Sequence, residues 1–299
     1  MLAIETHGLV KRFNGLTAVD HLDLAVQEGE IFGFLGPNGA GKTTTIRMLM
    51  DIIRPDSGSI AILGQRLQPQ TLDSIGYLPE ERGLYRKLKT AECLTYLAVL
   101  KGMGRRAAME RARFLLKEVG LDEFADKKVE TLSRGMQQKA QFVATLVHDP
   151  KLLILDEPFQ GLDPLNTGLL KEMVLDLHKQ GKTVIFSTHQ MDQVEALCDR
   201  ILLIDKGQAV LYGRLQEIKE QYAPNAVRLR GAELTTDLPG VRRVVQEASY
   251  TVAFLEDGVT PASFLRQLVE AGANVTHFEV VTPPLGDIFI DVVGKGRQA

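Results

Sequence analysis

The apolar positions of this chain follow two rhythms, and the switches between them divide it into segments. Leu22, Leu24 and Val26 alternate with polar residues, the period of a strand that buries one face. Residues 3–8 carry another strand pattern ahead of it. Residues 31–35 (Ile-Phe-Gly-Phe-Leu) and 152–155 (Leu-Leu-Ile-Leu) are nearly unbroken apolar runs, as expected of strands buried on both faces. Shorter strands are predicted at 59–63, 75–78, 183–186, 201–204 and 209–212, the last pair closing around Lys206-Gly207. Turns are expected at Glu28-Gly29 and Pro55-Asp56-Ser57-Gly58.

The helical rhythm appears at residues 43–50 and again from residue 90 to about 147. Met109, Ala112, Leu116 and Val119 share one face, and Met136, Ala140, Val143, Ala144 and Val147 share another. Both faces read as packing. Thr131-Leu132-Ser133-Arg134-Gly135-Met136 interrupts the region, and Ser133 is predicted to cap the helix that resumes. After Gln221-Tyr222-Ala223-Pro224 the character changes again. Short strands at 227–230, 243–247, 250–255 and 275–281 surround one amphipathic helix, 261–271, with Phe264, Leu265, Leu268 and Val269 expected to face inward. The expected domains are 1–222 and a small α+β unit at 225–299.

Composition narrows the functional classes. The 299 residues exceed one small domain, and 44% hydrophobic with 24% charged residues is an ordinary globular balance. A net charge of −3 without a Lys/Arg run argues against a nucleic-acid partner. No apolar run is long enough to span a bilayer, and the N-terminus lacks the basic-then-apolar order of a signal segment. Cys93 and Cys198 have no metal-type spacing; both are expected to be reduced, which points to the cytoplasm.

The chemistry centres on Gly36-Pro37-Asn38-Gly39-Ala40-Gly41-Lys42-Thr43, a GxxxxGK[ST] loop between a predicted buried strand and a predicted helix. Glycines let backbone N–H groups curl round an anion at a helix N-terminus. Lys42 can then reach the β- and γ-phosphates, and the Thr43 hydroxyl can ligate Mg²⁺. Asp156 and Glu157 end the apolar run 152–155. Beside such a loop, Asp156 suits the Mg²⁺ shell and Glu157 a general base for water. His189 follows the strand predicted next, on the edge where ligands of α/β sheets gather. Pro79-Glu80-Glu81-Arg82-Gly83 sits at another strand end. Ser133, with a glycine amide and a helix N-terminus, suits an anion as well as a cap. Phe13 could stack on a purine, but by itself it reads first as a core residue.

Together these residues resemble the ATPase subunit of ATP-binding cassette (ABC) transporters over roughly the first three-quarters of the chain. The motifs run in the family's order: Phe13, the phosphate loop, Glu80, the signature from Leu132 to Gln137, Asp156 and Glu157, Gly161-Leu162-Asp163, and His189. The signature distinguishes the family from other P-loop NTPases. The resemblance implies a P-loop NTPase core of the α/β class, with an antiparallel β subdomain, a helical subdomain at about 84–148, and the small α+β unit appended. It implies ATP contacts from Phe13, Gly36, Pro37, Asn38, Gly39, Ala40, Gly41, Lys42, Thr43, Thr44, Ser133, Gly135 and Asp163. It places Mg²⁺ with Thr43, Glu80 and Asp156, and catalysis with Glu157, His189 and Lys42.

Further expectations follow from the resemblance. Two subunits pair head to tail, each site joining one phosphate loop to the partner's Ser133 and Gly135, while Asp163 couples the sites. The partners are a second copy or a similar subunit and an integral-membrane permease, which docks over Glu80-Glu81-Arg82 and the helices after it. Three motifs depart from the common pattern: Glu80 stands for the usual Gln, Arg134 and Met136 alter the signature, and Phe13 replaces the commoner Tyr. The segment from Pro284 to Gly294 is similar to the end of exporter-type members, which extrude sodium, drugs or antibiotics. The alternatives are a soluble ABC ATPase acting on ribosomes or DNA, which one phosphate loop and the absence of long heptads disfavour, and an ATP-sensing regulatory module.

Overall fold

A long hairpin opens the chain. In a computed structural model that describes residues 1–81, 83–231, 239–247 and 249–296, β1 (Leu2–Phe13) and β2 (Leu16–Gln27) pair in antiparallel fashion across Asn14-Gly15. Both turn residues have positive φ, 46° and 83°, as a two-residue turn between right-twisted strands requires. Phe13 therefore sits at the hairpin tip, where no layer covers it, and is 44% exposed. This overturns its reading as a core residue.

The hairpin joins β4 (Ser57–Ile62) and β5 (Gln65–Arg66) in a four-stranded sheet of order β2-β1-β4-β5. The second sheet has six strands in the order β10-β9-β3-β8-β7-β6. These are β3 (Ile31–Leu35), β6 (Ile75–Leu78), β7 (Leu152–Asp156), β8 (Thr183–Thr188), β9 (Arg200–Asp205) and β10 (Gln208–Arg214). All pairings in it are parallel except β9 with β10. β3, β7 and β8 are buried at every position, as their apolar runs demand. Ile4, Val26, Phe32, Ile46, Ile154 and Ile185 share one core between the sheets, with α1 (Lys42–Leu49) contributing Ile46.

The predicted helical stretch resolves into α2 (Thr90–Leu100), α3 (Arg105–Glu118) and α4 (Arg134–Leu146). Ser133 caps α4, its hydroxyl accepting from the Met136 N–H at 3.3 Å. The cap leaves a first-turn donor satisfied that would otherwise be orphaned. α5 (Pro164–Lys179) begins at an Asp163 cap, and α6 (Met191–Leu197) follows β8. Among the described residues, no helix is long and apolar enough to cross a membrane.

The chain divides into two compact units, Met1–Leu215 and Gln216–Ala299, with α7 (Leu215–Gln221) at the division. The second unit has β11 (Ala226–Arg230), β12 (Val241–Gln246), β13 (Thr251–Leu255), α8 (Pro261–Glu270), β14 (His277–Val280) and α9 (Leu285–Gly296). Its sheet is antiparallel, in the order β12-β13-β11-β14. α8 starts at a Thr260–Ser263 capping box and buries Phe264 and Leu268 against Val227, Leu229, Ala253 and Leu255. Val269 does not face inward: it is 62% exposed. Leu268 and Val269 are adjacent and project about 100° apart on a helix, so the face that buries Phe264 and Leu268 turns Val269 outward. The segment that closes the chain, read from the sequence only as a likeness, forms α9, which buries Leu285 and Ile288.

Candidate functional site

Sheet order assembles the site. β3, β8 and β7 are neighbours, and β6 lies beyond β7. The phosphate loop leaves the C-terminal end of β3, His189 follows β8, Asp156 and Glu157 end β7, and Glu80 follows β6. Four segments distant in sequence thus meet at one edge of a parallel sheet, where strand ends leave a crevice.

The loop is shaped by close backbone approach. A Cβ on Gly41, whose φ is 112°, would lie 2.4 Å from the Ala18 carbonyl oxygen, and one on Gly36 would lie 2.3 Å from that of Ile204. Only glycine fits either place. Ala18, Asn38, Gly39, Gly41, Thr43 and Gln160 help to line a cleft of about 240 Å³ with Lys42, Thr44, Glu80 and Glu157. Lys42 is 6% exposed. Its ammonium donates to the carbonyls of Gly36 at 2.7 Å and Pro37 at 3.2 Å and stands 3.9 Å from Glu157 Oε1. Burial draws its pKa below the ordinary lysine value; Glu157, Asp156 and Glu80 oppose that shift without cancelling it.

Glu157 is held from three sides. Its N–H donates to the Ser187 carbonyl and hydroxyl oxygens at 3.2 and 3.1 Å, and its Oε1 lies 2.9 Å from His189 Nδ1. Its φ is 49°, a left-handed conformation that a non-glycine residue adopts at some cost and that gathers at functional sites. The Ser187 hydroxyl donates in turn to Asp156 Oδ1. Asp156 is fully buried, and its Oδ2 has no hydrogen-bond partner. An unpaired buried carboxylate oxygen is costly unless a cation meets it. With the Thr43 hydroxyl in the cleft, the donor set fits a Mg²⁺ that draws its other ligands from phosphates and water. No cluster of three or more His, Cys, Asp or Glu side chains that could hold a metal occurs among the described residues.

The structure gathers the phosphate loop, Glu80, Asp156, Glu157 and His189, but Phe13, Ser133, Gly135 and Asp163 do not line the cleft of their own chain. Ser133 is exposed at the start of α4. Asp163 caps α5, accepting from the Asn166 N–H at 2.9 Å and from the Asn166 amide, and these bonds hold its carboxyl below the usual range. Arg82 of the expected docking segment lies outside the described residues. Three participants went unread in the sequence: Ala18, Ser187 and Gln160. Ser187 left a signal, a hydroxyl closing an apolar strand beside the Asp-Glu strand. Ala18 and Gln160 left none.

Comparison with known proteins agrees with this geometry. Residues 19–160 match the family model described as ABC transporter, and residues 213–293 match that of the ATP-binding protein DrrA1-3-like C-terminal domain. The uncharacterized ABC transporter ATP-binding protein YhaQ of Bacillus subtilis is 40% identical over 288 residues, 96% of this chain and 97% of that one. The daunorubicin/doxorubicin resistance ATP-binding protein DrrA of Streptomyces peucetius is 36% identical over 301 residues, covering 97% and 91%. A solved ATP-binding subunit of an ABC transporter superposes with a TM-score of 0.69 at 31% identity, over 74% of this chain and 93% of that one.

Proposed function

The chain belongs to the ATP-binding subunits of ABC transporters and carries the DrrA1-3-like C-terminal domain; from this premise we propose that it drives export through a separately encoded membrane permease. It is an ABC ATPase. The observation that carries the residue assignment is the buried Glu157 carboxylate, 2.9 Å from His189 and 3.9 Å from Lys42 at the phosphate loop.

In the proposed cycle, the loop N–H groups from Gly39 to Thr44 and Lys42 hold the triphosphate of ATP. Thr43 and Asp156, with Glu80 beside them, would hold Mg²⁺, which supplies charge neutralisation at the phosphates. Glu157 takes a proton from the attacking water as the bond to the γ-phosphorus forms and ADP leaves. The His189 Nδ1–H fixes the carboxylate and leaves Nε2 free to face the γ-phosphate. Ser133, exposed at a helix N-terminus, and the half-buried Gly135 close over the triphosphate of a second copy, and Asp163 links the two sites. Phe13, exposed at the hairpin tip, is free to stack on adenine. ATP closes the dimer and hydrolysis reopens it.

The permease docks over Glu80-Glu81 and α2. Support comes from a groove of about 280 Å³ lined by Met50, Tyr77, Leu84, Leu97, Leu100 and Ala144, with Leu100 60% exposed. The daunorubicin/doxorubicin resistance role named for DrrA makes a drug-like or antibiotic cargo the leading class, and the protein's place is the cytoplasmic face of the membrane. The test is phosphate release by the purified chain in ATP and Mg²⁺, with and without a co-expressed integral-membrane ABC permease. Stimulation and co-purification are expected. Hydrolysis that ignores every membrane partner would remove the transport role.

A further inference from the structure

Gln141 lies in the interior of α4 and is only 4% exposed. Its side-chain nitrogen donates to two backbone carbonyls, that of Pro79 at 3.3 Å and that of Glu81 at 3.0 Å. An amide nitrogen carries two N–H groups, and here they grip the carbonyls of the two residues on either side of Glu80. With both carbonyls turned toward α4, the Glu80 side chain is left to line the nucleotide cleft with Lys42 and Glu157. The other end of the amide has no such role: Gln141 Oε1 is buried without a partner. An apolar residue would avoid that loss, so the donor end is what the position uses.

A second glutamine on the same helix does parallel work. Gln138 donates from its amide to the Pro158 carbonyl at 3.2 Å, one residue past Glu157. α4 thus holds the two segments that bring acidic side chains to the cleft. The same helix starts at Ser133, two turns and about 12 Å from Gln141 along the axis.

We propose that Gln141 is a positioning residue for ATP hydrolysis: its amide clamps the carbonyls of the residues flanking Glu80, fixes that carboxylate in the nucleotide cleft, and ties it through α4 to the Ser133 end of the helix. This rests on the reading of the cleft as the ATP site. The clamp acts through Glu80, so its removal matters only while Glu80 is present.

The test uses the full chain, with Gln141→Met as the size-matched variant and Gln141→Leu as the second. Each is measured alone and in a Glu80→Ala background. In the presence of Glu80, kcat is expected to fall about tenfold or more through misplacement, with KM for ATP moving far less. Hydrogen exchange at the amides of Glu80, Glu81, Gly83 and Leu84 is expected to quicken. In the Glu80→Ala background the same change is expected to alter kcat less than about twofold, because coupled residues are not additive. An equal loss with and without Glu80, unchanged exchange with unchanged kcat, or loss of fold in both variants would make Gln141 a core residue and overturn the proposal. A wild-type chain that releases no phosphate would instead sink the reading of the site itself.

Discussion

His189 Nδ1 and Glu157 Oε1 lie 2.9 Å apart, and the bond requires the imidazole proton on Nδ1. A glutamine at 157 keeps an oxygen able to accept it, so Glu157→Gln removes the base without disturbing its orienter. The expected outcome is ATP binding close to that of the parent and a kcat lower by about 10²–10⁴-fold. His189→Ala leaves the base in place but unoriented, and a smaller loss of kcat is expected. Equilibrium binding of a fluorescent ATP analogue and single-turnover phosphate release check both. Normal turnover by Glu157→Gln would remove that residue from its role.

Both cysteines are expected to be silent toward thiol reagents in the folded protein. Burial raises the pKa of Cys93, and burial with the neighbouring Asp199 raises that of Cys198 well above the ordinary thiol value. Cys198 is half-buried as a residue, but its sulfur is turned against β3, where a Cβ on Gly33 would come within 2.7 Å of it. Thiolate is the reactive form. A chromogenic thiol assay near pH 8 should find no fast-reacting group in the native chain and two in denaturant, the number in the sequence. A prompt native signal would contradict either the burial of Cys93 in α2 or that of the Cys198 sulfur against β3.

The β1–β4 junction should weaken in acid. Asp56 accepts from Lys11 Nζ at 2.9 Å and from the Arg12 N–H at 2.6 Å, and these bonds, the Lys11 bond foremost, hold its pKa below 3.8. A carboxylate with a depressed native pKa adds stability that is present above the unfolded value and lost as pH falls through the native one. Asp56→Asn should therefore lower the urea midpoint at pH 7. Variant and parent should converge as pH drops below 3.8. A difference that persists at low pH would assign the effect to something other than this carboxylate.

The parallel core could be read from the chain because its signals are short-range. Ile31–Leu35 and Leu152–Asp156 are apolar runs with chemistry at their ends, and the phosphate loop announces its own conformation through glycine spacing. The hairpin tip was not legible: the pattern predicts strands only at 3–8 and 22–26, whereas β1 runs on to Phe13 and β2 starts at Leu16. The exposure of Phe13 was not legible either, because it depends on the absence of a layer over that turn. Ser187, Gln160 and Gln141 escaped for a related reason. Ser187 acts on a residue thirty positions away, Gln141 on one sixty-two away, and Gln160 meets the phosphate loop only in the folded cleft; nothing in the local pattern separates a glutamine that grips a distant loop from one that faces solvent. Val269 failed differently: the 3.6-residue period tolerates two adjacent apolar residues at the edge of a stripe, and only packing against the sheet decides between them.

The last prediction separates a site completed by a partner from one contained in a single chain. Ser133 does not line its own cleft, so its hydroxyl is useful to hydrolysis only across an interface. It also caps α4, and Ser133→Ala would confuse the two roles by costing about 1 kcal/mol of stability, whereas glycine at a cap costs only a few tenths of that scale. Ser133→Gly should thus melt close to the parent and hydrolyse little ATP. Lys42→Ala should be inactive through the phosphate loop. Mixed in equal amounts and allowed to exchange subunits, the two should recover activity, because a mixed dimer holds one site with Lys42 from the first variant and Ser133 from the second. Recovery requires the head-to-tail arrangement. Full activity of Ser133→Gly alone, or no recovery in mixtures shown by mass to contain the hybrid, would place the whole reaction within one protomer.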